Sequence, residues 1–139
     1  MLGRYKKRIS GPLFDRIDIF AEVPRVEYEK LNSAPTGESS KVVRERVIAA
    51  RRIQQKRFEG TNMKANADMG PSEVWEHCQL NEAADALARA AMERLHLSAR
   101  AFHRTLKLAR TIADLAGETA IGVAHVAEAV QYRQREVMV

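Results

Sequence analysis

Three basic residues, Arg100, Arg104 and Lys107, recur at spacings of four and three, which on an α-helix puts them along one face. Arg100 would lie in the first turn of that helix. Backbone N–H groups there attract anions, and a guanidinium beside them adds a forked donor matched to phosphate oxygens. The chemistry open to this face is phosphate binding, but a solvated basic face has the same spacing, and spacing alone favours it. Arg16, in GPLFDRID, has two readings as well. It pairs with Asp15 or Asp18 as an ordinary surface ion pair, or it projects toward a partner. Two further basic groups, Arg4, Lys6, Lys7 and Arg8 around Tyr5, and Lys41, Arg44, Arg51, Arg52 and Lys56 on one helix face, could meet nucleic acid or simply water.

Other chemistries find no residues to carry them. His77, His96, His103 and His125 form no HExxH pattern and no pair at metal spacing, and Cys78 is the single cysteine, so neither a zinc site nor an internal disulfide is expected. The sequence contains no nucleophile elbow, paired-carboxylate pattern or dinucleotide fingerprint. It also contains no GxxxxGK[ST], the loop that cradles phosphates in nucleoside triphosphatases, so the chain by itself is not expected to hydrolyse ATP.

The elements that must position these residues are helical. Across 139 residues, 45% are hydrophobic and only 6% aromatic, and Ala, Leu, Glu and Arg are plentiful, a bias toward helices. A net charge of +5 permits contact with anions without requiring it. No run reaches the roughly 18 apolar residues of a membrane span, and no apolar stretch follows the basic start as in a signal peptide, so a cytoplasmic protein is expected. Ile17, Ile19, Ala21 and Val23 alternate with polar or aromatic residues before Pro24 and predict one short strand, poorly ordered without sheet partners. A linker over Asn32–Glu38 divides this segment, residues 1–37, from a helical domain, residues 38–139.

Within that domain a helix is predicted over Ser40–Phe58, capped by Ser39 or Ser40, with Val43, Val47 and Ala50 as its buried stripe beside Val42, Ala49 and Ile53. A short helix from Pro71 to Cys78 follows, with Trp75 and Cys78 read as packing residues. Asn81 caps a helix to Leu95 that buries Ala83, Leu87, Ala90, Ala91 and Leu95. Ser98 caps the longest helix, to Ala116 before Gly117, with Phe102, Leu106, Ala109, Ala113 and Ala116 on one edge and Leu108, Ile112 and Leu115 on the other. The last helix begins near Gly122 and carries Val126, Ala127 and Val130. The expected fold is mainly α, a small helical bundle preceded by the extended segment.

Taken in order, RYKKRISGPLFDRIDIFAEVPRV, GESSKVVRERVIAARRIQQKRF, NADM, LSARAFHRTLKLARTIADLAG and HVAEAVQYR resemble the C-terminal end of ComM/YifB-type AAA+ ATPases, the magnesium-chelatase-like family, over nearly the whole chain. The resemblance implies a C-terminal helical lid of a ring-shaped, DNA-acting motor, with ATP and Mg²⁺ as its cofactors in the full protein and none bound tightly by this part alone. It implies as partners the AAA+ core of the same protein, further copies in a ring, and DNA, with no membrane. Arg16 then resembles an arginine finger reaching a neighbouring subunit's ATP, and Arg100 a sensor-2 residue on the γ-phosphate, with Arg104 on the same nucleotide-facing side. That logic places fixed positive charge where phosphoryl transfer accumulates negative charge, and it reverses the reading of Arg100 that spacing favours. The alternative from another class is an autonomous basic helical module holding nucleic acid through Arg44, Arg51, Arg52, Lys56 and the Arg100 face.

Overall fold

The computed structural model describes residues 16–26, 28 and 37–133. The helical domain holds α1 (Ser40–Arg57), a 3₁₀ turn (Asn66–Asp68), α2 (Pro71–His77), α3 (Glu82–Arg94), α4 (Ala99–Ala116) and α5 (Val123–Gln131). Each boundary has a local cause. The Ser39 hydroxyl accepts from the Val42 amide at the start of α1, Asn81 from Ala84 at α3 and Ser98 from Ala101 at α4. Pro71 occupies the first turn of α2, and the Glu73 carboxylate returns to the Gly70 amide at 2.7 Å. Gly117, at φ 74°, ends α4 in the left-handed region, and the Glu118 amide closes the turn on the Ala113 carbonyl.

Helix α4 is central, packing against α1, α2, the 3₁₀ turn and α5, while α3 meets α5. Alanines line these contacts: Ala84, Ala109, Ala113 and Ala129 are fully buried, so backbones approach closely, and Phe58, Met69, Val74, Ile121 and Val126 fill the space between. Leu80 and Ile121 join the loops before α3 and before α5 through one parallel bridge.

The interior also holds a polar knot. Asp114, fully buried in α4, accepts from both terminal nitrogens of Arg57 at 2.8 and 2.5 Å, from the Asn66 amide at 2.8 Å and from Arg110 Nε at 3.0 Å. Arg57 also donates to Asn66 Oδ1, and the Asn66 amide N–H donates to Gln54. The remaining guanidinium nitrogens of Arg110 donate to the carbonyls of Thr119 and Glu118. One carboxylate thereby ties the end of α1, the 3₁₀ turn, α4 and the α4–α5 loop. Among the described residues no buried side-chain nitrogen or oxygen lacks a partner.

Several expectations need correction. Residues 17–26 form no strand; the Phe20 amide instead donates to the Tyr132 carbonyl at 2.9 Å and Arg133 donates to the Ile17 carbonyl at 2.7 Å, so the backbone finds its partners on the helical domain. The buried line of α3 is Ala84, Ala88 and Ala91; Ala83 and Ala90 are exposed because α5 covers the helix from one residue further round. On α4 Leu115 and Ala116 are exposed, while Arg110 and Asp114 occupy the interior. On α1 only Ala50 and Gln54 are buried; Val42, Val43 and Val47 are exposed because the first half of the helix runs past the bundle, and Ile53, further along, is exposed to one side of the line through Ala50 and Gln54. Trp75 is 79% exposed, whereas Cys78 is buried, its thiol pushed up to about 11 by desolvation and so unreactive. The basic group at Arg4–Arg8, Asp15 and most of the predicted linker lie outside the described residues.

Burial alone would raise the Asp114 carboxyl, but hydrogen bonds from Arg57 and Asn66 and the charges of Arg57 and Arg110 outweigh it and hold the group below the usual carboxylate range. A depressed carboxylate contributes stability that is present above its unfolded value, about 3.9, and lost as pH falls through the folded one. Asp114→Asn is expected to cost about 3–5 kcal/mol at neutral pH, because two arginines remain with no carboxylate between them. Urea unfolding from pH 7 to pH 2.5 checks this: the gap between wild type and variant narrows toward acid, and a constant gap would remove Asp114 as the source.

Candidate functional site

The stripe of α4 that ends at the Asp114 knot carries the cations toward its start, Arg100 and Lys107 standing at intervals of seven before Asp114. Arg100 is exposed in the first turn, which contains no acidic residue, and its side chain makes no hydrogen bond or ion pair among the described residues. A cation at this end opposes the helix dipole, so the position is favourable only with an anion nearby. One and two turns on, Arg104 and Lys107 are partly buried. With Arg100, His103, Met69, Gly70, Pro71 and Val74 they line a cavity of about 360 Å³ between α4 and the start of α2.

The three cations are not equivalent. Lys107 Nζ donates to the Ala67 carbonyl at 3.1 Å, which fixes the 3₁₀ turn against α4. Arg104 forks onto Asp18, Nε to Oδ1 at 2.5 Å and Nη2 to Oδ2 at 2.8 Å, and Nη2 also donates to the Arg16 carbonyl. These contacts bring the Arg16 segment onto α4, beside a second cavity of about 250 Å³ lined by Asp18, Ile19, Ala67, Arg104, Lys107, Leu108 and Thr111. The Arg16 side chain is exposed and makes no ion pair among the described residues, so the Asp18 pairing open to it in the sequence is taken by Arg104. Of the predicted site residues, then, Arg16 and Arg100 present uncommitted guanidinium groups, and Arg104 joins the elements that carry them.

Sequence reasoning missed the pairs Arg104–Asp18 and Arg57–Asp114. Their partners stand 86 and 57 residues apart, and local spacing says nothing at that range. One signal was available: Arg110 and Asp114 stand four apart among Leu106, Ala109 and Ala113, an ion pair inside an apolar stripe. No cluster of three or more His, Cys, Asp or Glu side chains able to hold a metal occurs among the described residues, and no described helix is long and apolar enough to cross a membrane.

The profile described as magnesium chelatase, subunit ChlI C-terminal, matches residues 37–133, and that described as magnesium chelatase, subunit ChlI, matches residues 1–31. The chain is 44% identical over 131 residues to competence protein ComM of Haemophilus influenzae, covering 94% of this chain and 25% of that protein. It is 42% identical over 132 residues to the uncharacterized protein YifB of Escherichia coli, again 94% of this chain and 25% of the relative. A Mycobacterium tuberculosis protein, the uncharacterized Rv2897c, is 37% identical over 131 residues, covering 94% of this chain and 26% of its own length. The chain thus spans about a quarter of the length of the curated relatives it matches. With the profile covering every helix described above, this chain belongs to the magnesium chelatase, subunit ChlI C-terminal family, in its ComM and YifB branch.

Proposed function

We propose that this chain is the helical lid of a nucleotide-driven ring motor, in which Arg100 contacts the terminal phosphate in the same subunit and Arg16 reaches the nucleotide of the next. The observation that supports this reading best is the pair of uncommitted guanidinium groups, Arg16 and Arg100, on two segments that Arg104 holds together. Both groups are exposed and carry no competing partner among the described residues, so each is open to an anion brought against it by the rest of the motor. ATP with Mg²⁺ is the cofactor this reading calls for, supplied to the lid by the core domain of the same protein. DNA is the substrate this reading assigns to the motor, and the relative from Haemophilus influenzae is named a competence protein.

A chimera in which this chain replaces the matched quarter of that relative tests the reading. It is expected to hydrolyse ATP, with Arg100→Ala lowering turnover by about 10²–10³-fold and Arg16→Ala by about 10³-fold or more. Mixing the Arg16→Ala chimera with a hydrolysis-dead copy that retains Arg16 should restore activity, since a finger acts on the neighbour. Turnover within twofold of wild type in Arg100→Ala would end the phosphate role.

The α1 surface favours a second reading, a nucleic-acid contact. Lys41, Arg44, Arg51, Arg52 and Lys56 are all exposed, and none forms an ion pair among the described residues. Such a face binds phosphates with affinity that falls steeply with salt. Fluorescence anisotropy with a labelled single-stranded oligonucleotide is expected to show binding at 50 mM salt that weakens at least tenfold by 200 mM, and further when Arg44, Arg51 and Arg52 are replaced by Gln. Absence of binding at low salt would dismiss this face as a nucleic-acid surface.

A further inference from the structure

The Arg104–Asp18 contact has the geometry of a device rather than of a stray surface pair. Both carboxylate oxygens are engaged by two guanidinium nitrogens, and the same guanidinium takes the Arg16 carbonyl as a third partner. Forked, charge-assisted contacts of this kind fix orientation as well as distance. The neighbouring backbone is held in the same sense, because the Ile17 carbonyl accepts from Arg133 and the Phe20 amide donates to the Tyr132 carbonyl. Main-chain groups of three residues between Arg16 and Phe20, together with the Asp18 side chain, are therefore tied to α4 and to the end of α5. Arg104 stands one turn beyond Arg100 on the same face.

We infer that Arg104 and Asp18 form a latch that carries the Arg16 segment with α4 as one rigid unit, so that Arg104 is a positioning residue and not a phosphate ligand. Asp18 neutralises Arg104 and leaves Arg16 and Arg100 as the cations open to an anion. A rotation of α4 when a phosphate engages Arg100 is thereby passed to Arg16 through the Arg104 side chain, which holds both Asp18 and the Arg16 carbonyl. The latch itself stands on geometry; the use of the coupling in hydrolysis rests on the roles proposed above for Arg16 and Arg100. The pair is releasable, since Asp18 is 48% exposed and Arg104 23%. Ion pairs of that exposure weaken with salt and hold by small factors.

Amide hydrogen exchange on the 139-residue chain, without nucleotide, tests the latch alone. Arg104→Gln and Asp18→Asn are each expected to speed exchange of the Phe20 amide about fivefold and to leave the Ala109 and Ala113 amides of α4 unchanged. The exchanged pair, Asp18→Arg with Arg104→Asp, restores protection. In the wild type, 1 M salt gives the same selective speeding, a measurement that needs no variant. Unchanged Phe20 exchange in the single variants and in salt, or failure of the exchanged pair to restore it, would overturn the latch. In the chimera Arg104→Gln is expected to lower kcat with the KM for ATP within twofold of wild type. A raised KM with unchanged kcat would make Arg104 a ligand and overturn its positioning role, whereas loss of the proposed roles of Arg16 and Arg100 would leave the exchange result standing.

Discussion

The fold depends on a single buried negative charge. Asp114 is the point where α1, the 3₁₀ turn, α4 and, through Arg110, the loop to α5 converge. In a domain whose helices meet through alanines, apolar packing says how close the helices come but little about their rotation or axial shift. Directional hydrogen bonds supply that information. The knot carries two arginines for one aspartate, and the surplus charge is spread over main-chain carbonyls and the Asn66 oxygen rather than left bare.

The stripe of α4 that ends inside the knot at Asp114 begins in solvent at Arg100 and passes through Arg104 and Lys107. The two ends of that stripe therefore share one rigid body: the buried end fixes where α4 lies, and the solvent end inherits that placement. Lys107 adds a second link, because it grips Ala67 in the turn whose neighbour Asn66 sits in the knot. Asp68 steadies that turn from its other end by accepting from the Lys64 and Ala65 amides, which hold its carboxyl below the usual range. A phosphate-sized ligand beside α4 would thus meet a surface whose supports reach into the core within one or two residues.

What was legible in the sequence is what local physics encodes. Ser39, Asn81 and Ser98 cap helices because a short polar side chain before a helical run has few better uses, and Gly117 ends α4 because its φ of 74° suits no other residue so well. The basic face of α4 follows from spacing alone. Errors arose where tertiary context decides. The α3 stripe turned by one residue because alanines on every side of that helix leave its inward face open until α5 chooses it. The strand expected near Ile17 and Ile19 was set by alternation, yet its backbone bonds go to Tyr132 and Arg133, residues more than a hundred positions away. Asn66 lay within the NADM stretch that carried the family resemblance, but its burial beside Asp114 cannot be read from neighbours in sequence.

The stripe of α1 begins with Val43 and Val47 in solvent and ends with Ala50 and Gln54 inside the bundle. Mechanically that makes α1 a mast stepped at its foot. Its exposed first ten residues, Ser40–Ala49, extend about 15 Å beyond the anchored part and put the tip about 25 Å from Arg57, so a tilt of about 10° there sweeps the tip by about 4 Å. The foot is Arg57, clasped by Asp114 and Asn66. Ångström-fraction adjustments at one carboxylate are therefore magnified at the mast head, where valines and arginines stand ready to record them.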